Sequence, residues 1–218
     1  MKRTLINIMG LSGVISLMSY AAAVIFSPMA YPGYNWISQA VSDLSADNAP
    51  SKMLWQQLSC LYDICGLVSV MMVCVYVQGR LNKALRTGIY LFAAMNWISA
   101  AGYAMFPLSD SGSGESFRDI MHIYAVTLPV VVLSVTSLIF IMAGGFRDKK
   151  YRSLGAWAGA SLLLMLAGAA GTAIVPREFF GIPERFSVFA AAGFNAVLGI
   201  YLFNGFYEDT GDKYDIKA

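Results

Sequence analysis

Five ionisable residues in the chain are of the types that carry out acid–base chemistry, and each lies in or beside a connection between apolar stretches. They are Asp43, Asp110, His122, Glu184 and Arg185. A histidine beside a carboxylate can transfer protons, and an arginine can hold a phosphate or carboxylate group. The sequence therefore predicts these five as candidate catalytic residues on one face of the protein.

His122 lies near the start of an apolar stretch, three residues after Asp119 and four after Arg118. On a helix this spacing puts the three side chains on one face. Asp110 precedes a Gly/Ser-rich turn and can reach the same rim. His122 is either a general base or proton relay, or a structural histidine whose nitrogens are bonded within the fold.

Arg185 follows Glu184 at the start of the last apolar stretch. A glutamate suits the positive end of a helix dipole, whereas an arginine there is disfavoured by roughly 0.3–1 kcal/mol. We therefore expect a carboxylate from another loop to pair with Arg185. Asp43 is the first choice of partner and Asp110 is the second.

A polar stripe runs through the segment Asn35–Leu44, which lies in the longest connection between apolar stretches. Its polar members are separated by one, three and four residues, as on one side of a helix. The stripe predicts a short interfacial helix that packs on the outer rim and lines a ligand site. The candidate ligand-binding residues of the stripe are Asn35, Ser38, Gln39 and Ser42, beside Asp43.

Asp63 lies eleven residues into the second apolar stretch, which places it near the middle of a membrane. A carboxyl at that depth costs a few kcal/mol and usually has a partner or a role. Asn96 lies at a similar depth in the third stretch. We expect Asp63 to be protonated, to face the bundle interior and to bind a ligand or hydrogen-bond Asn96.

The elements that position these residues are membrane helices. The chain is 57% hydrophobic and 13% charged, against about 25% charged residues in soluble domains. A membrane helix needs about 20 apolar residues, and six stretches qualify. We predict an all-α bundle of six transmembrane helices over 1–207 and a polar cytoplasmic tail over 208–218. The predicted spans are 5–28, 53–78, 87–107, 119–143, 154–175 and 185–206.

The basic residues predict the orientation of the bundle. Eleven lie on the side of the two chain ends and four on the other side, so both ends should be cytoplasmic. Reporter fusions at Ala46, Gly112 and Pro183 should therefore read external, and fusions at Asn82 and Asp148 internal. A cytoplasmic signal from Gly112 would contradict this topology.

Several classes of function and site do not fit the sequence. A net charge of +2 gives no basic face for nucleic acid. With one histidine, a single chain can form neither a haem site held by two histidines nor a zinc site of three histidines. The three cysteines all lie in one apolar stretch and form no CxxC pair. We expect no cofactor and no metal.

Small residues in the fifth stretch, including Gly155 and Gly159, are spaced for close helix packing. These residues pack against another helix of the same bundle or, alternatively, against a second copy of the chain or another membrane protein. Pro129, within the fourth stretch, should kink its helix.

Three motifs resemble those of a known family. The run from Ser38 to Leu44, SQAVSDL, is similar to the first-loop signature of the DUF998 family. Phe106–Pro107, followed by Asp110 and His122, resembles that family's third-loop pattern, and Gly181–Arg185 resembles its G-x-x-E-R opening of the last helix. The resemblance implies a six-helix bundle in a prokaryotic cytoplasmic membrane. It does not indicate which activity the protein has.

Three functions remain open at this point. The first is an enzyme or binding protein for a lipid or other amphipathic molecule, with its site at the outer mouth of the bundle. The second is a small proton-coupled transporter that uses Asp63. The third is a non-catalytic membrane subunit or assembly factor.

Overall fold

The protein is helical throughout the part described by the computed structural model, residues 3–109 and 116–207, and no strand occurs within those ranges. Asp110 and the predicted tail 208–218 lie outside the described residues. Short 3-10 helices join several of the α-helices, for example over Ser42–Ser45 and Arg177–Phe179. The α-helices are α1 (Leu5–Met9), α2 (Ser12–Phe26), α3 (Lys52–Ser59), α4 (Tyr62–Val77), α5 (Lys83–Met105), α6 (Phe117–Ile120), α7 (Leu128–Arg147), α8 (Arg152–Ile174) and α9 (Gly181–Phe203).

Within the described residues, five helical stretches are long and apolar enough to cross a membrane: Leu5–Ala30, Lys52–Val77, Phe117–Arg147, Lys149–Ile174 and Gly181–Phe203. The remaining long helix, α5, has 23 residues, which corresponds to about 34 Å. Its composition is less apolar, because it carries polar residues such as Asn96 and Ser99. The chain is therefore a polytopic helical membrane protein.

Both ends of the described chain lie at the same end of the bundle. The side-chain amide of Asn7 donates to Leu202 O at 2.7 Å, which joins α1 to the last turn of α9. At this end the side-chain amide of Asn82 also donates to Gly144 O at 3.0 Å, which joins the start of α5 to the end of α7. We call this the basic end, and its cations are Arg3, Arg80, Lys83, Arg86, Arg147, Lys149, Lys150 and Arg152.

The second apolar stretch is interrupted at Cys60 and Leu61, between α3 and α4. Two serines of α2 supply hydrogen bonds there. Ser19 Oγ donates to Leu58 O at 2.6 Å and Ser16 Oγ donates to Tyr62 O at 2.6 Å. The interruption is thereby stabilised by α2, and Asp63 follows it directly.

Pro129 lies at the start of α7, after a π-helical segment over Met121–Thr127. Proline has no N–H for the bond to the preceding turn, and its ring crowds that turn. A π-helical turn widens the backbone and is one of the ways in which helices absorb such a defect. Thr127 Oγ1 donates to His122 O at 2.9 Å across this wide turn.

The glycines of α8 pack within the chain. A Cβ on Gly155 would lie 3.2 Å from the carbonyl carbon of Gly145, and one on Gly159 would lie 3.3 Å from Met142 Sδ, so both face α7. A contact between two chains, the other expectation for these glycines, stays a prediction. It would have to use the outward side of α8, where Trp157 is 54% exposed.

Candidate functional site

The first outer connection is folded onto the start of α9. Gly181 N donates to Ile37 O at 2.8 Å. A Cβ on Gly181 would lie only 2.4 Å from each of Gln39 O and Trp36 O. Glycine is therefore required here, because the loop backbone touches the helix where a side chain would begin.

Arg185 holds this contact through its guanidinium group. Its Nη1 donates to Trp36 O at 2.8 Å, Gln39 O at 3.1 Å and Gly181 O at 2.7 Å. Its Nη2 donates to the Tyr34 hydroxyl at 2.7 Å. The planar group thus joins one turn of α9 to three points of the loop.

The expected ion pair between Arg185 and Asp43 is not formed. Asp43 is 8% exposed, and its Oδ2 accepts the Ala40 N–H at 3.1 Å. Glu184 Oε2 accepts the Val41 N–H at 3.2 Å. The reason is that α9 begins at Gly181, four residues before the predicted start of the span. Arg185 is therefore one turn inside the helix, where loop carbonyls accept the hydrogen bonds of its guanidinium group.

The ionisation of the loop residues follows from their burial. Burial raises the pKa of Asp43, while the Ala40 N–H and the charge of Arg185 act against the rise. Burial likewise raises the pKa of Tyr34 to about 12, against the opposing effect of Arg185. Tyr34 therefore stays a neutral phenol, which donates to Ala40 O at 2.8 Å while it accepts from Arg185.

The segment Asn35–Leu44 does not form the predicted continuous helix. It has turns near Trp36–Ser38 and one 3-10 helix over Ser42–Ser45. The carbonyls that a helix would use internally, those of Trp36 and Gln39, are bonded to Arg185 instead.

The polar stripe largely serves the backbone of its own loop. Gln39 Oε1 accepts the Asn35 N–H at 2.8 Å, and Asn35 Oδ1 accepts the Ile37 N–H at 3.0 Å. Ser38 N donates to Asn35 O at 3.1 Å, and Ser42 O accepts from Ser45 Oγ at 3.0 Å. The sequence pattern located a structured segment, although the secondary structure that it predicted was wrong.

His122 is bonded to the backbone rather than to a carboxylate. Its Nδ1 lies 2.7 Å from Phe106 O, which requires the proton on Nδ1 in the neutral ring and leaves Nε2 as an acceptor. The ring contacts that of Tyr103, with 4.8 Å between centroids. Tyr103 OH and Thr127 Oγ1 are 3.1 Å apart.

The acids and bases near His122 have other partners. Asp119 is fully buried and accepts from Ser109 Oγ at 2.6 Å and Ser116 Oγ at 2.7 Å, so it caps its own helix. Arg118 forms an ion pair with Asp47 in the first loop. Lys52 Nζ binds the same carboxylate at 2.7 Å. These two cations, with the Lys52 hydrogen bond foremost, lower the pKa of Asp47.

Asp63 lies outside the bundle core, which corrects the expectation that it faces the interior. Its side chain is exposed and lines a narrow cleft between α2, α4 and α5. The cleft has a volume of about 10 Å³, room for about one water. Among residues 3–109 and 116–207, Asp63 has neither a hydrogen-bond nor an ion-pair partner. The cleft is lined by Ser16, Tyr62, Asp63, Gly66, Leu67, Asn96, Ser99 and Ala100.

Two asparagines lie behind Asp63. Asn96 does line the cleft, but its amide donates to Phe92 O at 2.8 Å and not to Asp63. Asn195, which is 4% exposed, donates to Gly66 O at 3.2 Å and to Asn96 Oδ1 at 3.4 Å. The Oδ1 atom of Asn195 is buried without a hydrogen-bond partner. The two asparagines are thus bonded to each other between α5 and α9, and Asn96 also lines the cleft of Asp63.

The sequence argument missed Asn195, Tyr34 and Asp47. Asn195 lies near the middle of the last apolar stretch, so the depth argument that selected Asp63 and Asn96 would have found it. Tyr34 and Asp47 carry no such signal, because their partners are set by how the loop folds. No group of three or more His, Cys, Asp or Glu suited to a metal ion occurs in the described parts of the chain.

Comparison with known proteins gives one match. The family model described as "Protein of unknown function (DUF998)" matches residues 14–201 of the chain. No curated protein and no solved structure matches it.

Proposed function

The chain belongs to the DUF998 family of proteins of unknown function, and we propose that it is a six-span membrane protein that binds an amphipathic molecule. The polar group of that molecule enters the cleft at Asp63, and its apolar part lies in the bilayer. The observation that carries the proposal is an exposed carboxyl near the middle of the apolar stretch Lys52–Val77, with no partner among the described residues.

The six crossings are supported by the positions of the helix ends. The chain enters and leaves at the basic end, and α5 starts at that same end beside the last residues of α7. At the opposite end, Phe106, just after α5, contacts His122. The helix α5 therefore runs the full height of the bundle between α4 and α7. With the five apolar spans this makes six crossings, and the basic end is the cytoplasmic side of a prokaryotic inner membrane.

The depth of Asp63 makes a purely structural role costly. A carboxyl exposed at mid-membrane costs a few kcal/mol, and such residues commonly pair or mark a ligand or ion pathway. Asp63 pairs with no described residue and caps nothing. A ligand that hydrogen-bonds the carboxyl would offset this cost.

The lining of the cleft indicates the kind of group that it takes. Asp63 and the Asn96 Oδ1 are acceptors, and Ser99 adds a hydroxyl. The cleft is about as large as one water molecule, so the bound group is of the size of a hydroxyl or an amine. The side chains of Ile64, 65% exposed, and Trp97, 51% exposed, flank Asp63 and Asn96 in sequence. They offer apolar surface to the rest of the molecule.

Copurification tests this assignment. We expect Asp63→Leu to lose a hydroxyl- or amine-bearing amphipath that copurifies with the native protein in mild detergent, as measured by mass spectrometry of extracted lipid. Dodecylamine should also raise the melting temperature of the native protein by several degrees and that of Asp63→Leu by none. Glu178→Gln, which removes an exposed outer carboxylate, is the control and should behave as native.

Identical lipid profiles for the native protein and Asp63→Leu, with no dodecylamine effect, would refute the binding function. Proton uptake by proteoliposomes that depends on Asp63, without a retained amphipath, would instead establish the transporter.

A second candidate, a non-catalytic subunit or assembly factor, is favoured by the outer cluster. In this cluster the hydrogen bonds hold the backbone of the first outer loop. The residues that make them are Asn35, Gln39, Asp43, Glu184 and Arg185. A catalytic role stays a prediction for five residues: Asp43, Asp110, His122, Glu184 and Arg185. Copurification of an amphipathic molecule with the native protein distinguishes the binding function from the non-catalytic subunit.

A further inference from the structure

A second polar cleft lies at the basic end, away from Asp63. It opens between the start of α5 and the end of α7, and its volume is about 540 Å³. The cleft is wide and open to solvent rather than an enclosed cavity. The cleft is lined by Asn82, Lys83, Ala84, Arg147, Asp148 and Lys149.

The described lining of this cleft carries a net positive charge, with three cations and one carboxylate, Asp148. Lys83, Arg147 and Lys149 have no hydrogen-bond or ion-pair partner in residues 3–109 and 116–207. Asp148 Oδ1 accepts the Lys150 N–H at 3.0 Å, and Asp148 forms no ion pair with these cations. Three cations around one cavity favour an anionic ligand.

The walls of the cleft are fixed by close packing. Asn82 donates to Gly144 O at 3.0 Å and accepts the Leu85 N–H at 3.0 Å. A Cβ on Gly144 would lie 2.7 Å from Leu85 N, so the two helices are in backbone contact. The backbone of the two helix ends is therefore fixed, with Lys83 in the first turn of α5, Arg147 in the last turn of α7 and Lys149 in the short turn that follows α7.

Apolar surface continues from the cleft along the same helices. Tyr90, seven residues after Lys83, is 39% exposed, and Phe140, seven residues before Arg147, is 40% exposed. Seven residues make two helical turns, so each aromatic ring lies on the face of its cation, toward mid-membrane. A ligand with a phosphate in the cleft can thus lay its chains along α5 and α7.

We propose that this cleft binds the phosphate headgroup of an anionic phospholipid, with the acyl chains against Tyr90 and Phe140. In the topology proposed above, the helix ends that form the cleft lie at the depth of lipid headgroups, where clustered Lys and Arg attract anionic lipids. Free phosphate shares the charge but makes no use of the apolar faces. The site is separate from the Asp63 cleft and does not depend on the function proposed for it.

The test compares two variants that each remove two cations from the basic end. Lys83→Gln/Arg147→Gln removes two of the three cations that line the cleft, and Lys150→Gln/Arg152→Gln removes two neighbouring cations that do not line it. The full chain is placed in nanodiscs of phosphatidylcholine with an increasing fraction of phosphatidylglycerol. Retained lipid is counted by native mass spectrometry, together with the shift in melting temperature.

We expect the cleft variant to bind phosphatidylglycerol at least roughly tenfold more weakly than the control variant. The variant Lys83→Arg/Arg147→Lys, which keeps both positive charges, should bind phosphatidylglycerol as the native protein does. This result would show that the loss in the cleft variant is due to charge and not to misfolding. Equal weakening in the two variants would show a diffuse surface effect and overturn the proposal. Millimolar inorganic phosphate that reproduces the full stabilisation in phosphatidylcholine alone would also overturn it, in favour of a free anion.

Discussion

Gly181→Ala should detach the first outer loop from α9, whereas Gly193→Ala in the same helix should leave the protein intact. The new Cβ at 181 would lie 2.4 Å from both Gln39 O and Trp36 O, and 2.8 Å from Arg185 Nη1. The oxygens belong to the backbone, so the loop as a whole has to move. Overpacking of this kind costs about 1–3 kcal/mol before any hydrogen bond is lost.

Hydrogen–deuterium exchange and the melting temperature measure this effect. In Gly181→Ala, the peptide 34–41 and the amide of residue 181, which bonds Ile37 O, should exchange faster. The melting temperature should fall by several degrees, at roughly 2–4 °C per kcal/mol for a chain of this size. A Cβ at Gly193 would meet no atom within 4 Å, so alanine there should be neutral or slightly stabilising. Native exchange in Gly181→Ala would show that the loop is not held at this contact.

The positions of the spans could be predicted because bilayer thickness sets their length. Predicted and observed helix boundaries agree within a few residues, and the difference that matters for the site is in α9, which begins at Gly181 rather than at 185. The cause is that Pro183 fits a first helical turn, where proline is tolerated. That shift moved Arg185 inward by one turn and changed its partners.

The depth of a polar residue could be predicted, but not the direction in which it points. Counting along the apolar stretches predicts a similar depth for Asp63 and Asn96, and the two residues do line the same cleft. Between the predicted start of the second apolar stretch and Asp63, the helix is interrupted at Cys60 and Leu61, where two serines of α2 bond its carbonyls. Helical spacing in the sequence predicts the face on which a residue lies only along a regular helix, so it does not predict the face of Asp63 beyond this interruption.

The loop fold could not be predicted because its hydrogen bonds come from distant residues. The stripe from Asn35 to Asp43 has helical spacing, yet the arginine lies about 150 positions later in the chain. A guanidinium with five donors competes well for carbonyls that a short interfacial helix would use weakly. Tertiary contacts therefore override the local period in this segment.

The remaining large effect is expected at Arg185 itself. Arg185→Ala removes the four hydrogen bonds to Trp36 O, Gln39 O, Gly181 O and the Tyr34 hydroxyl. Hydrogen bonds from a charged donor contribute about 1.5–3 kcal/mol each, and partly exposed ones contribute less. We expect a loss of about 3 kcal/mol or more in the free energy of unfolding.

Arg185→Lys should rescue little of this loss, because a single ammonium cannot reach acceptors that a planar fork spans. Arg177→Ala removes an exposed cation from the same end, without a partner in the described chain, and should change the melting temperature by about 1 °C or less.

The double variant Gly181→Ala/Arg185→Ala tests whether the two residues act through the same contact. If one contact holds the loop, the two effects should fall short of additivity by at least about 1 kcal/mol, since the second change has little left to remove. Full additivity, or a lysine that behaves as native, would show that Arg185 stabilises α9 without holding the loop.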